Sequence, residues 1–224
     1  SSVCTKNRCR LRRPVLWPRA RLRYTWIPAT MLQTVTDTAS PAPLSFPTSP
    51  LAAHAEGVFE ETSPYDGDGF RNHCRRLFLF TEMLLKKDSI ELPRDVAYAV
   101  AMCHDLGIVT QKDSGPTYLE RSRSLFEREM TGYDLHVPQR LLDECLVYNH
   151  RLMPVPGLSP QADAFRRAVQ IEHSRGLLRF GLDRAQVAAV FAAYPRDNFD
   201  RVLLDFTWRT LRREPWTIVK GIFF

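Results

Sequence analysis

The sequence predicts an all-α fold, a single bundle of about seven helices. Three observations predict it. Apolar residues recur at spacings of three and four along successive segments from residue 70 onward. Strand signals nearly vanish over the same stretch. Proline stands at the start and glycine at the end of several of these segments, where helices begin and stop.

The elements follow in order. Residues 31–50 are rich in Thr, Ser, Ala and Pro, which suits a linker. SPYDGDG (63–69) reads as a turn-rich loop. Over 70–87, His73, Leu77, Phe80 and Leu84 fall at i, i+4, i+7 and i+11, so His73 belongs to the apolar stripe. Residues 93–106 form the next helix: Pro93 opens it, Ala97, Ala101 and His104 share a face, and Gly107 stops it. Residues 117–131 end at Gly132. Residues 138–150 start at Pro138, and Leu142, Cys145 and Leu146 lead to His150 on the inward side. Residues 161–180 end at Gly181. Residues 183–194 and 198–213 complete the bundle, separated by Pro195. The expected division is a basic and Pro/Thr-rich segment at 1–50, disordered, a helical domain at 51–215 and a tail at 216–224.

Charge is unevenly placed. The chain of 224 residues carries 31 basic and 25 acidic residues, a net charge of +6. Residues 1–30 hold eight Lys and Arg and no Asp or Glu, so the remainder, with 23 basic and 25 acidic residues, stands at −2. Basicity therefore belongs to the tail and argues against a nucleic-acid-binding domain. The tail reads as a basic arm, as a transit peptide, or as residues upstream of a true start at Met31. No apolar stretch reaches the ~20 residues that span a bilayer, so no membrane partner is expected. The five cysteines form no CxxC pair, and three stand in apolar helical patterns, as reduced thiols of a cytoplasmic protein would.

His104-Asp105, thirty-one residues after His73, is the most informative feature. A histidine and a carboxylate side by side on a buried helix are costly unless something pairs them. A divalent metal does so, since imidazole and carboxylate both ligate it and the ion neutralises the carboxylate. His73, His104 and His150 stand on apolar faces of three different helices, whereas His54 and His136 stand in polar, loop-like contexts and read as surface residues.

NHCRRLFLF (72–80) followed by VAYAVAMCHDLGI (96–108) resembles the HD-domain superfamily of metal-dependent phosphohydrolases. The resemblance covers about residues 51–190. It implies an HD-like helical fold and a divalent metal bound by His73, His104 and Asp105. It gives His150, in YNHRL, a second-metal or phosphate-binding place, so Asp105 and His150 become the catalytic candidates. The family also places an aspartate ligand on a late helix. Here the comparable segment is RRAVQIEHSRGLLRFGL (166–182), with Val169 at that place. Glu172, on the Phe165–Val169–Gly176 face, and its neighbour His173 are the alternative metal ligands. The other alternative is a site that has lost catalysis.

An ion at such a site lowers the pKa of bound water and yields a nucleophile near pH 7. The mixed ligand set suits Mn, Fe, Zn or Ni and does not choose among them. The leading expectation is a hydrolase of a small phosphorylated or nucleotide substrate, with Arg76 and Arg151 as phosphate contacts. A hydratase or lyase acting on a small non-phosphate molecule is a second expectation, since the superfamily includes such enzymes. A helical sensor or scaffold is a third. An arginine-lined pocket would favour the first and a closed apolar pocket the second.

Overall fold

The structure, a computed structural model, describes residues 44–110 and 117–217. The basic segment 1–30, the stretch from Met31 to residue 43, residues 111–116 and the tail from 218 onward lie outside the described residues. Among the described residues the fold is all-α, with eight helices of nine residues or more and no strand. These are α1 (Pro50–Thr62), α2 (Gly69–Lys87), α3 (Arg94–Cys103), α4 (Tyr118–Glu129), α5 (Gln139–Val147), α6 (Pro160–His173), α7 (Arg184–Ala193) and α8 (Phe199–Arg213). A 3-10 turn spans Leu106–Ile108. No described helix is long and apolar enough to cross a membrane.

Helix α2 is the centre. It packs against α3, α6, α7 and α8, while α1 covers α3 and α5 joins α4 to α6. Its burial is wide: Phe70, His73, Cys74, Leu77, Phe78, Phe80, Thr81 and Leu84 are all inside, as expected of a helix surrounded by others.

Helix α1 is an element that the sequence reading did not assign. Its signal was local and present: Ser49 accepts the Ala52 N–H at 3.2 Å, and Pro50 occupies the first turn. Nor do residues 44–49 behave as a linker. Phe46, partly buried, meets the rings of Phe78, Tyr98 and Tyr194, with centroids 5.9, 5.4 and 5.2 Å away, and so packs against the core.

Three helices end earlier than their periodicity suggests. Helix α3 ends at Cys103, leaving His104 and Asp105 in a turn before the 3-10 segment. Gly107 serves that turn by its size. A Cβ there would stand 2.0 Å from the Tyr118 carbonyl oxygen and 2.4 Å from Ser122 N, so α4 approaches only because the residue is glycine. Helix α5 ends at Val147, so His150 sits in the following turn. Helix α6 ends at His173, because Arg175 and Gly176 adopt left-handed φ angles of 53° and 77° and Gly176 N–H bonds back to Ile171 O at 2.8 Å. The stop is therefore Gly176 rather than Gly181.

Candidate metal centre

His73 lies in the first half of α2, inside the bundle and 0% exposed. Its ring stacks on Phe199 with centroids 4.2 Å apart, which fixes its plane. His104 and Asp105 come from the turn after α3. The loss of helical geometry there, with Asp105 at φ −109° and ψ −2°, lets the two neighbouring side chains converge: His104 Nε2 is 3.1 Å from Asp105 Oδ2. On a continuous helix they would point about 100° apart. His73 Nε2 reaches the same point, 3.2 Å from His104 Nε2 and 3.5 Å from Asp105 Oδ2.

The protons explain why this arrangement is unusual. His104 Nδ1 lies 2.7 Å from Ala101 O, an acceptor only, so Nδ1 carries the hydrogen and Nε2 keeps its lone pair. His73 Nδ1 lies 3.1 Å from Glu172 Oε2; both atoms are buried, and the other group near Glu172 Oε2 is His173 Nε2 at 4.0 Å. A proton on Nδ1 faces that carboxylate and leaves Nε2 as an acceptor too. Two imidazole lone pairs and a carboxylate oxygen thus converge among buried side chains. A cation or a shared proton must lie between them. Their mutual distances of 3.1, 3.2 and 3.5 Å match the ~3.0–3.4 Å edges of an octahedron or tetrahedron built on metal–nitrogen bonds near 2.1 Å. The residues present therefore fit a divalent ion.

Charge agrees with geometry at Asp105 and His104. Burial would raise the Asp105 carboxyl, but His104 and His150 beside it outweigh burial and hold it well below the usual carboxylate range. Burial lowers His104, only partly offset by Asp105, which favours the neutral, ligating imidazole. For His73 burial acts downward too, yet Glu172 and Asp105 beside it bring the balance to a raised value.

Glu172, at the end of α6, stands directly behind His73. Its Oε1 accepts from Arg76 Nε at 3.1 Å and Nη2 at 2.5 Å, and from Arg196 Nη1 at 2.8 Å. Burial would raise this carboxyl; His73 and Arg76 hold it below its ordinary value. His73, Glu172 and His173 form a second group within ligand distance of one another. That group needs His73 Nδ1 while the first needs Nε2, and one neutral imidazole has a single lone pair. The first group, more fully enclosed, is the stronger centre, with Glu172 orienting His73 from behind. His173, 32% exposed, stacks on His73 at 5.8 Å and lies 5.5 Å from His150. Val169, 2% exposed, belongs to the apolar core.

His150 reaches the centre from the turn after α5. Its Nε2 is 3.0 Å from Asp105 Oδ1, and its ring is 14% exposed. The expected phosphate contacts are placed differently. Arg76 is 0% exposed, and its donors go to Glu172 and to the carbonyl oxygens of Tyr194 and Pro195, at 2.8 and 2.9 Å. It is a structural cation inside the protein, because its helix face turns into the bundle. Arg151 lies beside the Tyr148 ring, 5.7 Å from its centroid. Of the remaining histidines, His136 is exposed, while His54 is half-buried, with Nε2 2.9 Å from Glu129 O. Sequence reasoning missed Arg196, which follows Pro195, and Tyr118, whose ring meets His150 edge-on at 5.8 Å. Neither stands in a periodic pattern that would announce it.

No protein-family model, no curated protein and no solved structure matches the chain. What the centre can do rests on its geometry.

Proposed function

We propose that this chain is a metal-dependent hydrolase of the HD type. The observation that carries the reading is the convergence of His73 Nε2, His104 Nε2 and Asp105 Oδ2 within 3.5 Å, with the Nδ1 atoms turned to Ala101 O and Glu172. His73, His104 and Asp105 would hold the ion, and Mn, Fe, Zn and Ni all suit that ligand set. Such an ion supplies a water activated near neutral pH.

The chain's own groups do the rest. Glu172, clamped by Arg76 and Arg196, keeps the His73 ring in register. His150 Nε2 orients Asp105 through Oδ1, and the His150 ring lines the cleft, where it would serve proton transfer to the leaving group. In hydrolysis the oxygen of water goes to the electrophilic atom, one of its protons goes to the leaving group, and the bond between them breaks.

The test is metal loading of the full chain followed by a screen for hydrolysis, with His104→Ala and His150→Ala beside the wild type. The reading expects His104→Ala to lose both ion and activity. His150→Ala should keep the ion and lose turnover by about 10²- to 10⁴-fold, the usual worth of a proton-transferring group. A protein that takes up ion but turns over nothing would support the scaffold reading.

A further inference from the structure

The cleft that Asp105 and His150 line is a cavity of about 350 Å³, and four residues with hydroxyls line it too. They are Tyr118 at the start of α4, Thr207 and Thr210 on α8, and Thr217 after it. Two of these hydroxyls have already placed their hydrogens. Thr207 Oγ1 donates to Leu203 O at 2.9 Å, and Thr217 Oγ1 donates to Glu214 Oε2 at 2.9 Å. The other two have not: neither the Tyr118 nor the Thr210 hydroxyl meets an acceptor among the described residues. A hydroxyl held inside a protein is stabilised by an acceptor, and an oxygen entering the cavity supplies one. Tyr118 is also firmly placed. Its backbone N–H donates to Glu214 Oε2 at 2.8 Å, and Arg121 Nη2 donates to Oε1 of the same carboxylate at 2.5 Å. Arg121 Nε donates to Gly107 O at 2.8 Å, in the 3-10 turn that follows Asp105. One buried ion pair thus ties the start of α4 to the turn that carries the centre, and the Tyr118 ring meets His150 edge-on at 5.8 Å.

We propose that Tyr118 is a substrate-binding residue whose O–H, together with that of Thr210, donates a hydrogen bond to an oxygen of the group undergoing hydrolysis. The ligand chemistry is an oxygen acceptor, carbonyl or phosphoryl. The proposal rests on the hydrolytic reading above for the reaction, and on the two hydroxyls for the contact. The proton stays on Tyr118 throughout. No bond to it breaks; its hydrogen bond strengthens as negative charge gathers on the substrate oxygen, which is what favours the transition state over the bound substrate. A phenol keeps its proton at neutral pH, and burial, with Asp105 and Glu214 nearby, raises this one further. Tyr118 therefore acts as a donor, a part that none of the carboxylates at the centre can take when ionised.

The experiment titrates the full chain, metal-free and after zinc loading, with two probes: benzamide for the carbonyl oxygen and phenyl phosphate for the phosphoryl oxygen. Binding is followed by ligand-observed NMR. At least one probe should saturate, and which one does names the source of the oxygen. Tyr118→Phe keeps the ring against His150 and removes the hydroxyl alone. It should weaken that probe at least about fivefold and leave zinc content unchanged. Thr210→Val, of similar shape, should weaken it at least about threefold. In protein carrying tyrosine labelled with carbon-13 at Cζ, the resonance that disappears in Tyr118→Phe should shift as the probe saturates, which a purely structural tyrosine would not show. Failure of both probes to saturate, either hydroxyl variant binding as tightly as wild type, or a Tyr118 resonance that stays in place would each overturn the proposal. Zinc content measured on the same samples keeps the two readings apart. A wild type that takes up no zinc yet binds the probe through Tyr118 fails the hydrolytic reading alone; a zinc-bearing wild type indifferent to Tyr118→Phe fails this proposal alone.

Discussion

His73 Nε2 and His104 Nε2 face each other across 3.2 Å, with both rings buried. Each ring is locked by what its other nitrogen meets, Glu172 on one side and Ala101 O on the other, so neither can turn its lone pair away. A cation resolves the conflict, and it binds the folded chain alone. Adding zinc or manganese to stripped protein should therefore raise its melting temperature in a concentration-dependent way. At a hundred times Kd the gain approaches about 2.7 kcal/mol. Calorimetry checks this, and a melting temperature indifferent to both ion and chelator would speak against the site.

Arg76 is a structural cation. Replacing it by Met leaves Glu172 buried with Arg196 as its remaining arginine. The loss should be about 3 kcal/mol or more, as for breaking a buried ion pair. Urea unfolding measures it. The double variant Arg76→Met, Glu172→Gln should recover part of that loss, because it no longer buries a charge short of a partner. A loss below about 1 kcal/mol in the single variant would mean that Arg76 has another way to satisfy its partners.

The close approach at Gly107 sets a second stability test. A methyl group there meets the Tyr118 carbonyl at 2.0 Å, and neither backbone can yield without moving α4. Gly107→Ala should cost about 1–3 kcal/mol, as overpacking does, and should weaken metal uptake by shifting the adjoining His104-Asp105 turn. Gly132→Ala, where a Cβ meets nothing within 4 Å but φ is +97°, is the control for backbone strain without collision. If Gly107→Ala is the milder of the two, the packing argument is mistaken.

How much of this was legible in the sequence varies with the physics involved. Periodicity found α2 through α8, because each presents an apolar face to neighbours. It missed α1, whose boundary lay in a Ser49-Pro50 cap at the edge of a proline-rich stretch. It also ran α3, α5 and α6 too long. Periodicity records which residues face inward, and residues in a turn at the end of a helix, such as the buried His104 and the half-buried His150 and Gly176, look the same as helical ones. The convergence of His73, His104 and Asp105 could be expected from residue types and burial. The Arg76–Glu172 pairing could not, since an arginine on a helix usually lies at the surface, and nothing local says that this one lies inside.

Acid should loosen the support of α6. Glu144 Oε2 accepts from Ser159 N at 2.9 Å and Oε1 accepts from Arg140 Nε at 2.8 Å, tying α5 to the start of α6. Burial would raise this carboxyl, but the Ser159 N–H and Arg140 outweigh it and lower it below its usual 4.5. A depressed folded value means that the stabilisation is fully present above 4.5 and is lost as pH falls through the lower folded value. Glu144→Gln should therefore be less stable than wild type at pH 7, and the gap should narrow as pH falls below 4.5 toward 3. Urea midpoints at the two pH values decide it, and a gap that persists unchanged in acid would refute the assignment.

The most direct test of the whole account is the metal content of the purified full chain, measured by mass spectrometry after equilibration with zinc. Wild type should carry at least one equivalent, and His104→Ala should carry almost none. Val169→Asp should match wild type, because the centre at His73, His104 and Asp105 does not need that position. An empty wild type beside a metal-bearing Val169→Asp protein, or a His104→Ala protein that still holds a full equivalent, would contradict it.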